Sequence, residues 1–124
     1  MTRKVLLVDD SATVLMMERM ILAAERFEIL TASNGCEARE VAKRELPDLI
    51  LMDIVMPQMN GIEACKALRS DSVTAHIPII LVTTRGEANT MELGYENGCN
   101  DYVTKPVNSA ELLTKIRNII GAER

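Results

Sequence analysis

Short apolar runs alternate with amphipathic stretches along the whole chain. Val5-Leu6-Leu7-Val8 and Leu49-Ile50-Leu51-Met52 are continuous rather than alternating. That is the pattern of a strand buried on both faces. Strands are predicted at residues 4–8, 27–32, 49–52, 78–82 and 101–104. Helices are predicted from the Ser11 cap to about 24, at 35–45 before Pro47, at 61–69, at about 87–97 with Gly98 as the stop, and at 109–120 before Gly121. Asn34-x-x-Glu37, Asn60-x-x-Glu63 and Asn108-x-x-Glu111 share the spacing of a capping box. In that motif Asn accepts from first-turn amides and Glu reaches back. Gly94 lies inside the fourth helix, where it costs about 1 kcal/mol against Ala. That helix is therefore expected to be the least stable and the most adaptable. Five short β-α units predict an α/β fold, a doubly wound parallel sheet covered by helices.

Composition narrows the classes of function. The 124 residues suit one domain with one core. Hydrophobic residues make up 48% and charged residues 26%, a globular balance. The net charge of -4 argues against nucleic acid or anionic lipid as a direct partner. No apolar stretch approaches the ~20 residues of a membrane span. Arg3-Lys4 precedes too short an apolar run for a signal peptide. Cys36, Cys65 and Cys99 are scattered and odd in number, which reads as reduced thiols in a cytoplasmic protein. Cys36 and Cys65 are expected to pack in helices and Cys99 to fill a gap before the fifth strand. Most of the eight methionines are expected to fill the core, and His76 is assigned no chemistry.

The candidate chemistry gathers at strand ends. Asp9-Asp10, Asp53, Thr83 and Lys105 all fall at the carboxyl ends of predicted strands, the edge where such sheets bind ligands. A carboxylate after a buried run costs free energy unless something binds it. Three carboxylates brought to one edge make a divalent-cation site with a reactive Asp in it. Taken singly, each residue has a plainer account. An acidic pair favours a helix N-terminus, a lone Asp is a turn residue, as Asp48 is expected to be, and Lys105 alone would be a solvated charge. Four strands each contributing a polar group to one edge outweigh those accounts.

Val8-Asp9-Asp10-Ser11, the segment from Asp53 through Pro57 to Gly61, Val82-Thr83-Thr84 and Asp101-Tyr102-Val103-Thr104-Lys105-Pro106 together resemble the receiver domain of bacterial response regulators. The resemblance covers residues 1–124. It implies the flavodoxin-like strand order 2-1-3-4-5, for which this family is itself a standard example, with five helices. It implies Asp53 as phosphoacceptor, taking a phosphoryl group from a histidine kinase, a histidine phosphotransfer protein or a small acyl phosphate. Mg²⁺ would be held by Asp10 directly, Asp9 through water, Asp53 and the backbone carbonyl of Val55. Lys105 would pair with phosphoryl oxygens and Thr83 would move its hydroxyl onto them. A cis peptide is implied at Lys105-Pro106. Thr83 and Tyr102 take the two switch positions, and the face made by the fourth helix, fifth strand and fifth helix would bind a downstream target. Met91 and Tyr95 would add apolar contacts there, unless they pack on the sheet.

Further expectations follow. Val14, Met17, Ile21 and Ala24 have the spacing of an inward stripe on the first helix. Leu15 and Leu22 would then be exposed beside the acids, to dock the phosphoryl donor. Thr84, where the family commonly has a smaller residue, would crowd the phosphoryl entrance. Val55 cannot position a water, and Arg85 would pair with the phosphoryl group or a nearby acid. The chain is expected not to be an enzyme beyond its own phosphorylation and dephosphorylation. It reads as a stand-alone regulator of the chemotaxis or motility kind. A receiver of a larger regulator and a phosphorylation-independent module of the same fold stay open. An Asp-nucleophile phosphatase of the haloacid dehalogenase type would want a second Asp where Val55 stands.

Overall fold

The computed structural model describes residues 2–84 and 88–121, with the backbone alone at 88. Arg85, the start of the fourth helix at Glu87 and the chain end at 122–124 lie outside the described residues. The described chain alternates β1 (Lys4–Val8), α1 (Ala12–Leu22), β2 (Glu28–Ala32), α2 (Gly35–Glu45) and β3 (Leu49–Asp53). It continues with α3 (Gly61–Ser70), β4 (Ile79–Thr84), α4 (Ala88–Glu96), β5 (Asp101–Lys105) and α5 (Ser109–Ile120). All strand pairs are parallel, in the order β2-β1-β3-β4-β5.

The apolar runs are continuous because both faces of the sheet are covered. Leu6, Val8, Ile50, Met52, Ile79 and Leu81 point to one side and pack with Ala38, Ala64, Cys65 and Leu68 of α2 and α3. The alternate residues Val5, Leu7, Leu49, Leu51, Ile80 and Val82 point to the other side. There they meet Leu22 of α1 and Leu112, Ile116 and Ile120 of α5. Period-two alternation thus builds two cores from one set of strands.

The elements match the predicted ones with informative shifts. β4 begins after Pro78, which has no amide to donate; its carbonyl still accepts from the Ile50 amide at 2.9 Å. β4 and β5 each run further than predicted, pairing Thr83 with Thr104 and Thr84 with Lys105. Thr83 and Lys105 therefore sit in the ladder itself. α1 stops at Leu22, because the amides of Ala24 and Glu25 turn back to the carbonyls of Ile21 and Leu22. Such i→i+3 bonds tighten and end a helix.

The helix caps are partly as expected. Asn60 and Glu63 close a full capping box, at 2.8 and 3.0 Å. Asn34 accepts from the Glu37 amide at 2.8 Å, but Glu37 reaches one residue further, to the Ser33 amide and hydroxyl. Asn108 accepts from the Glu111 amide at 2.9 Å. Gly94 has a packing role besides its propensity cost: a Cβ there would come 2.9 Å from Leu81 Cδ1 and 3.2 Å from Cys99 Sγ. Its missing side chain lets α4 lie close on β4.

Three expectations are corrected. α1 is rolled so that Leu15, Glu18 and Leu22 face the sheet; Glu18 and Leu22 are buried and Leu15 packs partly against the core. Met17 and Ala24 are exposed instead of inward. Leu15 and Leu22 are therefore not the exposed docking pair. The open face of α1 carries Met16, Met17 and Met20, so these methionines do not fill the core. Cys36 is exposed rather than packed, while Cys65 and Cys99 are buried.

Candidate functional site: an acid cluster at the carboxyl edge

The strand ends converge as the topology requires. β1 and β3 are neighbours, so Asp9 and Asp10, just past β1, meet Asp53, the last residue of β3. One carboxylate oxygen from each of the three lies within 4.8 Å of the others. Asp9 and Asp53 are buried and Asp10 is exposed. Asp9 Oδ1 accepts from the Ser11 amide at 2.9 Å, while Asp9 Oδ2 is buried without a hydrogen bond.

Among the described residues, one cation reaches the cluster. Lys105 Nζ stands 3.3 Å from Asp53 Oδ1 and 3.6 Å from Asp9 Oδ2. Burial, and then the nearby Asp9 carboxylate, push the Asp53 carboxyl above its usual range; Lys105 only partly offsets them. Burial alone would make the Lys105 ammonium easier to deprotonate, but Asp53 and Asp9 outweigh it and hold the ammonium more firmly charged. Thr83 is buried beside this edge, its hydroxyl donating to the Thr84 carbonyl at 3.4 Å. Thr84 itself is exposed. The Lys105-Pro106 peptide is cis.

The loop after β3 is pinned to the sheet. The Ile54 amide donates to the Val82 carbonyl at 3.1 Å, and the Gly61 amide to the Ile54 carbonyl at 2.8 Å. Gly61 packs so tightly that a Cβ would run into the Asp53 carbonyl oxygen and come 2.9 Å from Ile54 Cα. That contact holds the end of β3 in place, so the α3 N-terminus helps to position Asp53. The Val55 side chain points to solvent.

The pattern of the response regulator receiver domain matches residues 5–117. The chain belongs to the response regulator receiver family. It is 38% identical to the response regulator PleD of Caulobacter vibrioides over 96% of its own length but only 26% of that protein. It is also 38% identical to the protein PilH of Pseudomonas aeruginosa, over 95% of this chain and 98% of that one. It therefore spans about a quarter of one curated relative and nearly all of another. The crystal structure of the chemotaxis protein CheY4 of Vibrio cholerae superposes with a TM-score of 0.89 at 33% identity, covering 96% of this chain and 99% of that one. Receivers are signalling regulators of two-component systems that work with histidine kinases and downstream targets and typically use Mg²⁺ at an acidic pocket. A phosphatase of the haloacid dehalogenase type is set aside by this membership.

The receiver's other predicted residues, Tyr102, Met91 and Tyr95, lie on β5 and α4. Tyr102 is half-buried, and its ring meets that of Tyr95 edge to face at 5.9 Å. Lys115 of α5 stands 5.0 Å over the Tyr102 ring and donates to Asp101 Oδ1 at 3.1 Å and to the Tyr102 carbonyl at 2.5 Å. Tyr95 is exposed and Met91 only partly so.

Glu18 was missed by the sequence reading. It is 2% exposed, and its Oε1 has no hydrogen-bond partner. Burial first, then Asp9, push its carboxyl up to about 8. The stripe Leu15-x-x-Glu18-x-x-x-Leu22 carried the clue, since a glutamate between two leucines at helical spacing shares their inward face. No described helix is long and apolar enough to cross a membrane.

Proposed function

We propose that the chain is a phosphorylation switch in which Asp53 is the phosphoacceptor. The observation that carries this reading is the arrangement at Asp53: a buried carboxylate beside two more, with a single lysine shared between two of them. An Asp53 oxygen attacks phosphorus, forming an acyl O–P bond. The P–N bond of a donor phosphohistidine breaks, or the P–O bond of a small acyl phosphate, and the leaving group keeps the electron pair. Lys105 pairs with the phosphoryl oxygens, and the Thr83 hydroxyl turns toward them.

The residues fit a hard divalent cation. The donors are all oxygens, they converge within 4.8 Å, and the buried Asp9 Oδ2 has no hydrogen bond. Asp9, Asp10, Asp53 and the Val55 carbonyl would hold Mg²⁺. When bound, it would offset negative charge during phosphoryl transfer.

The output is a change of surface. Thr83 and Tyr102 sit on paired strands two residues apart in register. Movement of Thr83 toward Asp53 gives Tyr102 room to turn in, remodelling the α4–β5–α5 face for a downstream protein. Similarity to the protein PilH and to the chemotaxis protein CheY4 supports a cytoplasmic regulator of the chemotaxis kind. Similarity to part of PleD keeps a longer regulator as the other reading.

Intact mass after incubation with acetyl phosphate and Mg²⁺ tests the site. One added phosphoryl group, absent with Asp53→Asn and with EDTA, is expected. A gain that survives Asp53→Asn would place the acceptor elsewhere.

A further inference from the structure

Between α1 and the turn after β5 lies a cavity of about 160 Å³. Val14, Ile21, Pro106 and Val107 form apolar walls, and Glu18 and Lys105 also face it. Among the described residues, Lys105 is the sole cation on that lining. Glu18 makes no ion pair among the described residues, and its Oε1 is buried without a donor. An orphaned carboxyl in an apolar cavity is costly, so a state that supplies it with a donor is favoured. Lys105 has a flexible four-carbon stem and three donors. In this structure its ammonium serves Asp53 and Asp9 instead.

A divalent cation held by Asp9, Asp10 and Asp53 would add positive charge beside that ammonium, and like charges at this range repel strongly. Lys105 would then be pushed away from the acids. Moving outward exposes it to water; moving inward brings it to Glu18. Either protonation form of Glu18 keeps oxygen lone pairs for an ammonium donor.

We propose that Glu18 is a second station for Lys105: when a divalent cation occupies the acid cluster, the ammonium swings into the cavity against Glu18, until a phosphoryl group on Asp53 draws it back. Glu18 is thus a positioning residue that makes metal binding compatible with a lysine kept close for phosphoryl transfer. This rests on the metal and phosphoacceptor reading above.

Mg²⁺ dissociation constants measured by calorimetry for wild type, Glu18→Leu, which leaves no acceptor, Lys105→Met and the double variant test it. Glu18→Leu should weaken Mg²⁺ binding roughly three- to tenfold with Lys105 present and less than about twofold with Lys105→Met. Equal weakening in both backgrounds would mean that Glu18 acts on the metal by charge alone, and overturns the proposal, as does no weakening in the first. If wild type binds no Mg²⁺, the metal reading itself fails. The Lys105 ammonium resonance in ¹⁵N NMR gives a second readout. Mg²⁺ should move it to a protected position in wild type and to a solvent-exchanging one in Glu18→Leu. The same shift in both proteins overturns the proposal.

Discussion

Two lysines meet aspartates at opposite ends of β5, and they are satisfied very differently. Lys115 is fully engaged: it bonds Asp101 and the Tyr102 carbonyl and covers the Tyr102 ring. Asp101 also accepts from the Tyr102 amide at 2.8 Å and the Tyr95 hydroxyl at 3.5 Å. Lys105 is stretched between Asp53 and Asp9, at distances long for charge-assisted bonds. Around it Asp9 Oδ2 and Glu18 Oε1 have no hydrogen bond. The first cluster is complete and holds a ring in place. The second is short of positive charge and is built to receive it. An unfinished polar network marks where a ligand acts, and a finished one marks what the ligand must disturb.

The sharpest way to break the acid edge without touching a charge is Gly61→Ala. The added methyl meets the Asp53 and Ile54 backbone, which cannot yield as a side chain can. A loss of about 3 kcal/mol is expected, with a Tm lower by about 10 °C. Phosphoryl uptake from acetyl phosphate should fall with it, because Asp53 is displaced. A variant with wild-type melting and uptake would show that the contact does not position Asp53.

Charge deficiency should also show in pH dependence. Folding raises the Glu18 carboxyl from 4.5 to about 8. Below pH 4.5 the proton is on in both states and the associated stability is fully present. Between 4.5 and 8 the unfolded chain releases its proton and the folded one keeps it, so stability falls as pH rises. Asp53, raised from 3.8, acts in the same direction. In EDTA, urea unfolding at pH 5 should exceed that at pH 8 by on the order of 3 kcal/mol. Glu18→Gln should flatten the slope and be the more stable protein at pH 8. An unchanged slope would absolve Glu18. A fixed Mg²⁺ concentration, a hundred times its dissociation constant at pH 8, should contribute about 2.7 kcal/mol there and less at pH 5, because its ligands must be ionised. Asp9→Asn should reduce that gain.

The difference between the two clusters also explains what could be read from sequence. The acid edge was legible because each strand ends on a polar residue after an unbroken apolar run, and five β-α units force those ends together. The β4 and β5 lengths were less so, because Thr83, Thr84 and Lys105 are polar residues that extend the strands through ladder pairing, where the apolar runs have already ended. Glu18 escaped because the stripe through Val14, Met17, Ile21 and Ala24 fits the helical period as well as the true one through Leu15, Glu18 and Leu22. Hydrophobicity alone chose the wrong roll. The docking of α1 against β1 and α5, a tertiary fact, decides it. The Lys115 clamp was invisible for a similar reason: its partners are 13 and 14 positions away on another element.

The complete cluster gives the smallest expected effect. Lys115→Met keeps the length of the side chain while removing the ammonium over the Tyr102 ring and both of its hydrogen bonds. Lys115 and Asp101 are partly exposed, so the loss of stability should be about 1 kcal/mol or less. Phosphoryl uptake should be unchanged, since Lys105 and the acids are untouched. What should change is Tyr102: released from Lys115, its ring should reorient more freely, and its NMR resonances should move part-way toward those of the phosphorylated wild type. Target affinity of the unphosphorylated protein should rise accordingly, because a partner that prefers the turned-in ring meets it more often. Tyr102→Ala should weaken target binding while leaving phosphorylation intact. If Lys115→Met leaves the Tyr102 resonances where they were, the clamp does not restrain the ring, and the contrast between the two lysines is one of packing alone.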